Sequence, residues 1–504
     1  MIGAIIPLLV AVPLVGGALL AMMRDNRPAN AITMMTVLSG SLATSIFLVY
    51  HQVDNDVIAH QLAAWPFGIA IPFVADMFAA LMLTVTGILA VTCAAFALAS
   101  GHAQRPFFAS FVLFLVAGVN GALLTADLFN FFVFLEVMLL PSYGLLILSA
   151  AGKASMGRVS GSRLYVTVNL LTSTVFLIGV AFLYGVTGTV NLAELAGAAQ
   201  ESTSAAIAAA ICLFALAIKA SVVPVHGWLA RTYPSTSPAV TALFSGLHTK
   251  VAIYAIYRIY AVIFDGDATF LWVGVVMFSL TMIIGVMGAV GENTSRSILA
   301  FHMISQIGYI LLGVALFGPI GLTAGIFYLL HHMIVKASLF LSTGAVEVKY
   351  GTGTLGKVGG IAKKEPWLAV AFFAAALSLA GLPPFSGFVA KLTLISAAID
   401  SDQFLAAAAA ILVSLVTLLS MLKIWSGMFW GKEKSEPELK SDGSLLTAVD
   451  TKPRVGIALL APSLVLALIT LSLGIGAELL LFLSEIAAMG LYDPTGYVQA
   501  VVNA

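Results

Sequence analysis

Apolar runs of about 20 residues follow one another along the whole chain and are separated by short polar connections. A helix of that length crosses the hydrocarbon layer of a bilayer, about 30 Å thick, whereas strands of membrane barrels alternate in polarity over about 10 residues. Charged residues make up 9% of the chain, against about 25% in a water-soluble domain. The sequence therefore predicts an all-α polytopic membrane protein with a single membrane domain, residues 1–504.

The apolar runs and the charges between them predict about fourteen spans and their orientation. The spans cover residues 2–23, 29–50, 73–99, 107–125, 127–151, 163–186, 205–223, 239–263, 269–290, 296–317, 321–346, 367–399, 404–430 and 455–484. Lys and Arg occur in the odd-numbered connections and are absent from the even-numbered ones. By the positive-inside rule the odd connections are cytoplasmic, which places both termini outside a cell (inner or cytoplasmic) membrane. The polar insert 431–454 is predicted to be a cytoplasmic linker.

A single carboxylate, Glu136, lies in the fifth span, within the stretch DLFNFFVFLEVMLLPSY (127–143). It is about 9 residues, roughly 14 Å at helical rise, from the polar start of that span, which is near the middle of the bilayer. A charge at that depth costs at least several kcal/mol unless it is paired, hydrated or protonated. Folding does not require a Glu here, so its presence indicates a function. Pro141 is expected to kink the helix about one turn from it.

Six basic residues lie inside predicted spans, namely Lys219, Lys250, Arg258, Lys336, Lys391 and Lys423. Arg258 and Lys423 are about two turns from a span end, so we expect both to extend their charged groups to the membrane surface. The other four do not reach an interface easily. His332 shares a helix face with Lys336 because the two are four residues apart, whereas His248 and His331 remain open between a core role and a proton-relay role.

Two of the spans that carry lysines also carry proline breaks. Pro224 follows Lys219 in the seventh span, and Pro384 precedes Lys391 in the twelfth. Proline removes a backbone donor and frees carbonyl groups of the preceding turn. The seventh span has the lysine before the break and the twelfth has it after. Inverted repeats related by an axis in the membrane plane would give this reversed order.

Ionisable residues at mid-membrane depth therefore form a set on neighbouring helices, made up of Glu136, Lys219, Lys250, His332, Lys336 and Lys391. Any one of them could have a purely structural role. Together, however, they would add a large free-energy cost of burying ionisable groups in the membrane without stabilising the fold. Burial disfavours the charged forms of Lys and Glu, which allows them to exchange protons. Linked by water, the set predicts a proton path.

No cofactor or metal site is predicted. Cys93 and Cys212 are isolated, without the spacing that haem, clusters or redox pairs require. His331 and His332 are adjacent and have no carboxylate at ligand spacing. Phosphate-loop and nucleophile-elbow motifs are also absent from the sequence.

Four stretches carry a family resemblance: DLFNFFVFLEVMLLPSYGLLIL (127–148), residues 216–258, HHMIVKASLF (331–340) and GLPPFSGFVAKLTLI (381–395). They resemble the antiporter-like family, which includes proton-pumping membrane subunits of respiratory complex I, membrane hydrogenase subunits and the A and D subunits of Mrp-type Na+/H+ antiporters. The similarity covers nearly the whole chain and is greatest to the D subunits.

The resemblance implies a fold of fourteen helices with two inverted five-helix repeats, spans 4–8 (107–263) and 9–13 (269–430), in which spans 7 and 12 are broken. It implies a proton-handling pair, Glu136 and Lys219, followed by Lys250, His332 with Lys336, and Lys391 as the terminal group. It also implies a transporter subunit rather than an enzyme. The subunit is surrounded by membrane lipid and translocates protons, coupled to Na+ efflux by the assembled complex. The implied partners are other antiporter subunits, similar to Mrp A, B, C, E, F and G, and not nucleic acid.

Two other functions stay open at the level of sequence. A proton-pumping subunit of a redox-driven complex would use the same row of residues as part of an NADH:quinone oxidoreductase or a membrane hydrogenase. A scaffold that does not transport would only pack against partner subunits.

Overall fold

The computed structural model describes residues 2–23, 26–62, 65, 67–148, 156–431, 438–439, 445–446 and 454–504. Most of the predicted linker, 431–454, therefore lies outside the described residues. Within that insert two short strands, β3 (Glu438–Leu439) and β4 (Leu445–Leu446), pair antiparallel.

The first part of the chain contains ten α-helices and a hairpin. The helices are α1 (Leu8–Met22), α2 (Arg27–Asp54), α3 (Met77–Ala99), α4 (Phe108–Leu124), α5 (Leu128–Leu148), α6 (Met156–Thr187), α7 (Ala198–Glu201), α8 (Thr203–Ala220), α9 (Gly227–Thr232) and α10 (Pro238–Ile263). Strands β1 (Ile58–Gln61) and β2 (Pro72–Ala75) form an antiparallel hairpin between α2 and α3.

The second part of the chain continues with ten more α-helices. These are α11 (Leu271–Gly291), α12 (Ser295–Ala315), α13 (Pro319–Tyr350), α14 (Ile361–Lys364), α15 (Pro366–Ala380), α16 (Ser386–Asp400), α17 (Phe404–Ile424), α18 (Ile457–Ile475), α19 (Ala477–Tyr492) and α20 (Thr495–Val502). A π-helical turn, Trp425–Phe429, extends α17.

Twelve helices in the described part of the chain are long and apolar enough to cross a membrane, and α4 and α15 are shorter apolar helices. The predicted all-α polytopic class is therefore confirmed. The prediction of one span over 455–484 was wrong at its end, because α18 stops at Ile475 and α19 begins at Ala477. Glycine is a poor helix former, and Gly474 and Gly476 lie at this boundary.

The least apolar of the long helices, α10 and α13, lie at the centre and are buried along their membrane-spanning windows. Helix α13 packs against α3, α10, α12, α15, α16, α18 and α19. Lipid offers no hydrogen bonds to polar side chains, so helices that carry such groups are stable only where protein surrounds them. More apolar helices such as α2, α11 and α18 expose most of their surface.

The predicted break in the seventh span is present between α8 and α9. Helix α8 ends at Ala220, directly after Lys219, and Ser221 adopts a left-handed conformation with φ of 66°. The indole of Trp228 in α9 donates a hydrogen bond to the carbonyl oxygen of Ile218 at 3.0 Å. One carbonyl freed by the break is thus satisfied inside the protein.

The twelfth span is broken in the same way between α15 and α16. Helix α15 ends at Ala380, Gly381 follows with φ of 88°, and α16 begins at Ser386 after Pro383 and Pro384. In contrast, α5 continues through Pro141 without interruption. The order of lysine and break along the chain is therefore reversed between the two broken spans, as predicted.

Candidate functional site

The six predicted site residues lie on a series of helices that touch one another. Helix α5 packs on α6, α6 on α8, α8 on α10, α10 on α13 and α13 on α16. Five side chains are at most 5% exposed and Glu136 is half-buried. They come from α5 (Glu136), α8 (Lys219), α10 (Lys250), α13 (His332 and Lys336) and α16 (Lys391). The six residues thus lie on five of these helices, with α6 between α5 and α8, and we call the six residues the central row.

At its first end the row begins with a carboxylate and a lysine that do not touch. The charge of Glu136 acts on Lys219, but the ammonium group instead donates to Oδ1 of Asn169 at 3.2 Å. Asn169 is itself fixed by donating from Nδ2 to the carbonyl of Tyr165 at 2.8 Å. The Oε1 atom of Glu136 is buried and has no hydrogen-bond partner among the described residues. The pair is thus electrostatically coupled without a direct ion pair.

A hydrogen-bonded bridge crosses from α5 to α10 beside this pair. The hydroxyl of Tyr165 on α6 lies 3.1 Å from Oγ of Ser142 and 3.4 Å from Nδ1 of His248. The charge of Lys219 also acts on His248, whose Nε2 is buried and has no partner in the described part of the chain. His248, which the sequence left open, therefore belongs to the same constellation as Lys219.

In the middle of the row a histidine lies between two lysines. Both Lys250 and Lys336 exert their charge on His332, whose two ring nitrogens are buried and unpaired within the described ranges. Lys250 donates to Oγ1 of Thr249 at 3.0 Å, and Lys336 donates to the carbonyl of Leu299 at 2.9 Å. A neutral imidazole can accept a proton at one nitrogen and release one from the other, which suits this position.

Near the far end of the row lie one histidine that the sequence analysis missed, His302, and one that it left open, His331. His302 on α12 is fully buried, its Nε2 is 2.6 Å from Oγ of Ser420, and the charges of Lys336 and Lys391 both act on it. His302 could have been found in the sequence by the same criterion that identified Glu136, because it is also an ionisable side chain inside an apolar span. His331 is 2.7 Å through Nδ1 from Oγ of Ser386 and is also influenced by Lys391.

The last member of the row, Lys391, is hydrogen-bonded to the backbone at the break between α15 and α16. Lys391 on α16 donates to the carbonyl of Ala380, the final residue of α15, at 2.9 Å. Its ammonium group also lies 5.3 Å from the centroid of the Tyr309 ring. A carbonyl and a ring face stabilise an ammonium ion more weakly than a carboxylate does, so this lysine can still lose its proton.

One expectation about the basic residues was wrong. Arg258 does not extend its charged group out of the protein, because its side chain is 3% exposed and pairs with Asp76 at 2.6 Å. Asp76 precedes α3 in the sequence and lies far from Arg258 along the chain, so the partner could not be read from spacing. Lys423 is partly exposed and donates to the carbonyls of Val290 and Glu292 at the end of α11.

Fold and site together define a multi-pass helical membrane protein with ionisable side chains along its buried centre. The family model described as NADH:quinone oxidoreductase/Mrp antiporter matches residues 125–417. The chain is 38% identical over 99% of both sequences to the D subunit of the Na(+)/H(+) antiporter of Alkalihalophilus pseudofirmus. The chain belongs to this family, among the relatives described as antiporter D subunits, and is a multi-pass protein of the cell membrane.

Solved structures agree with this assignment. A chain of the Mrp complex from Dietzia sp. DQ12-45-1b is 60% identical, with a TM-score of 0.94 and coverage of 99% of both chains. A chain of the archaeal membrane-bound sulfane sulfur reductase superimposes with a TM-score of 0.86 over 99% of both chains at 24% identity, which is a likeness of fold alone.

Proposed function

We propose that this chain is the proton-translocating membrane subunit of a multisubunit Na+/proton antiporter of the Mrp type. Its relatives are described as Na(+)/H(+) antiporter subunits and as part of an Mrp complex, which supports assembly with other membrane subunits similar to Mrp A, B, C, E, F and G. The observation that carries the proposal is the set of ionisable side chains on the touching helices from α5 to α16, five of them buried and Glu136 half-buried. The chain is accordingly a transporter component and not an enzyme.

Electrostatic coupling drives the first step in this account. The negative charge of Glu136 favours the protonated form of Lys219, and neutralising or withdrawing that charge releases the proton. The proton then passes by way of Tyr165 and His248, whose Oη and Nδ1 atoms are 3.4 Å apart, toward α10.

Repulsion between positive charges moves the proton through the second half of the row. Lys250 and Lys336 both act on His332, so protonating one of the three disfavours a charge on the others. A proton that arrives at Lys250 therefore promotes release from Lys336 toward His302 and Lys391. Bridging water molecules are the usual link between such groups.

The two inverted repeats, 107–263 and 269–430, belong to the same proposal. The close approach of α4 to α5, where Gly118 faces Met138 and Gly121 faces Phe134, recurs at the same spacing in α11 and α12. There Gly285 faces Ser305 and Gly288 faces Phe301. The recurrence supports two equivalent units, each with one broken helix that carries a lysine of the row.

A redox-driven pump remains the second candidate, because the fold is shared with a respiratory complex at 24% identity. Both functions use the same row and differ in the neighbouring subunits. Genes for several small membrane proteins beside this one would favour the antiporter, whereas genes for quinone- or cluster-binding subunits would favour the pump.

The test uses the assembled complex in inverted vesicles, with a pH-sensitive dye and a pulse of Na+. Glu136→Gln, Lys219→Ala and Lys391→Ala should each lower Na+-dependent proton movement at least about tenfold, because each removes an ionisable group of the proposed path and about 1.4 kcal/mol on the barrier is already a factor of ten. Lys423→Ala, a lysine outside the row, is the matched control. Undiminished exchange in the three variants would contradict the proposal. It would mean that the row has only a structural role and that the chain is a scaffold.

A further inference from the structure

A groove lies between α5 and α6 at the ends of these helices that the positive-inside rule predicts to be cytoplasmic. Its volume is about 290 Å³, near the lower end of the range of about 300–1,000 Å³ for small-molecule sites. Tyr143, Leu146 and Ile147, in the last two turns of α5, form one wall, and residues between 162 and 167 of α6 form the other. The groove is open to the surface, because Ile147 is 66% exposed.

The walls of the groove combine aliphatic side chains with one exposed positive charge. Leu146, Ile147 and Val166 supply the aliphatic part, and Arg163 is charged and exposed. Arg163 is the first residue of the sixth predicted span, 163–186, so we expect its guanidinium to lie at the boundary between lipid headgroups and acyl chains. The groove therefore has the polarity of a lipid molecule, with a charged end and an apolar end.

The charge of Arg163 is not compensated by a nearby acidic residue of this chain. The sequence contains no Asp or Glu between Glu136 and Glu194, whereas Lys153 and Arg158 come shortly before Arg163. Among the described residues, Arg163 has no ion-pair partner. Each Lys or Arg near an anionic membrane surface contributes about 1 kcal/mol of attraction. The charged end of the groove is thus complementary to an anion.

An anionic phospholipid suits this groove better than an apolar helix of a neighbouring subunit. Such a helix would cover Arg163 without supplying a counter-charge, and a buried unpaired charge is strongly destabilising. A phosphodiester accepts two parallel hydrogen bonds from the planar guanidinium, and an acyl chain packs against aliphatic side chains. One lipid molecule therefore matches both ends of the groove.

We propose that the groove between α5 and α6 is a binding site for one anionic phospholipid. Its phosphodiester is bound by Arg163, and one acyl chain packs along the aliphatic wall formed by Leu146, Ile147 and Val166. The inference does not rest on the proposed function, because none of these residues belongs to the central row and the site is defined by binding alone.

The lipid site adjoins the first end of the central row. Tyr143 lines the groove and follows Glu136 by seven residues, which is about two helical turns, so the two share a face of α5. The charge of Glu136 acts on Tyr143, whose ring lies edge-on to that of Tyr165, with centroids 5.8 Å apart. A lipid in the groove is thus next to the row without being part of it.

The experiment titrates the purified, assembled complex with phosphatidylglycerol and counts bound molecules by native mass spectrometry. Arg163→Gln should weaken the tightest binding about tenfold or more, because it removes a charge-assisted hydrogen bond. Arg27→Gln is the matched control, since Arg27 is an exposed arginine at the start of α2, another helix end predicted to be cytoplasmic. It should leave the tightest binding within twofold of the unaltered complex. Equal binding by the two variants would overturn the site.

A second pair of variants tests the aliphatic wall without changing any charge. Val166→Phe fills part of the groove and should also weaken the binding of phosphatidylglycerol, whereas Leu171→Phe, at an exposed position of α6 outside the groove, should not. Binding that depends on Arg163 but not on Val166 would contradict a lipid seated in the groove.

Two further outcomes decide the identity of the occupant. The unaltered complex should bind phosphatidylcholine, which has no net charge, at least about tenfold more weakly than phosphatidylglycerol, and free glycerol phosphate should not compete. Equal binding of the two lipids, or competition by glycerol phosphate, would contradict an anionic phospholipid. Loss of another subunit from the complex in Arg163→Gln or Val166→Phe would instead show that the groove is a subunit interface and would overturn the proposal.

Discussion

At the scale of single residues, the lysines of the central row differ from the ion-paired arginines in the groups that accept their hydrogen bonds. Each ammonium group donates to one neutral oxygen, supplied by Asn169, Thr249, Leu299 and Ala380 for Lys219, Lys250, Lys336 and Lys391. Arg258 and Arg296 instead face carboxylates. A neutral oxygen supports a charged lysine without fixing it in that state, whereas a carboxylate would. The row is thus built of groups that can lose a proton.

Asn169 supplies the direct acceptor for Lys219 among the described residues, so removing its amide should lower the transport rate. Asn169→Leu keeps the volume of the side chain but leaves the ammonium group without its 3.2 Å hydrogen bond. A hydrogen bond to a charged group is worth about 1.5–3 kcal/mol, so Na+-dependent proton movement should fall about tenfold or more. The measurement is dye-reported exchange, normalised to the amount of assembled complex.

The control for that variant lies less than one turn away on the same helix. Thr172 is equally buried, but its hydroxyl donates to the carbonyl of Val168 within α6. Thr172→Val removes a hydrogen bond of similar depth that involves no member of the row, and exchange should be preserved. Equal losses in both variants would mean that α6 matters for packing and not for Lys219.

At the scale of elements, the two broken spans end differently. In the first, Trp228 satisfies the freed carbonyl of Ile218 and leaves Lys219 to face Asn169. In the second, Lys391 itself bonds the last carbonyl of α15. The position of Lys391 therefore depends on the backbone turn between α15 and α16, and that turn requires a glycine.

Gly381→Ala tests this dependence. At φ of 88° a side chain is strained by about 1–2 kcal/mol, and a Cβ would lie 2.6 Å from Cδ of Lys391, which must move. Gly351 has a similar φ of 79° but nothing within 4 Å of its Cβ position. Both substitutions should lower thermal stability, Gly381→Ala by more because of the added overlap, but only Gly381→Ala should abolish most of the exchange. Equal exchange in the two variants would show that Lys391 tolerates displacement.

At the scale of the whole molecule, the polar helices are inside and the two halves of the chain are tied together around them. Helix α10 packs directly on α13, which brings Lys250 to His332. Arg296 of α12 donates to the carbonyl of Pro234, in the segment after α9, at 3.2 Å and also pairs with Glu347 of α13. The segment that follows the first broken span is thus joined to the second half of the chain.

Much of this arrangement could be predicted from the sequence, because depth in the membrane follows from position in an apolar run. The breaks at Pro224 and Pro384, and the helices that carry the row, are where the sequence placed them. The contacts between side chains on different helices could not be predicted. The partner of Arg258 and the acceptor of Lys219 come from other helices, and spacing along one helix says nothing about which face of another it meets.

The most direct test of the central claim is a single substitution at the junction of the two halves. Lys250→Met keeps the length of the side chain and removes its charge, and Lys423→Met is the same change in a lysine outside the row. In the purified complex in liposomes with an imposed Na+ gradient, Lys250→Met should lower proton movement at least about tenfold, with Lys423→Met near the unaltered rate. Exchange by an intact Lys250→Met complex at the unaltered rate would contradict proton transfer along this row.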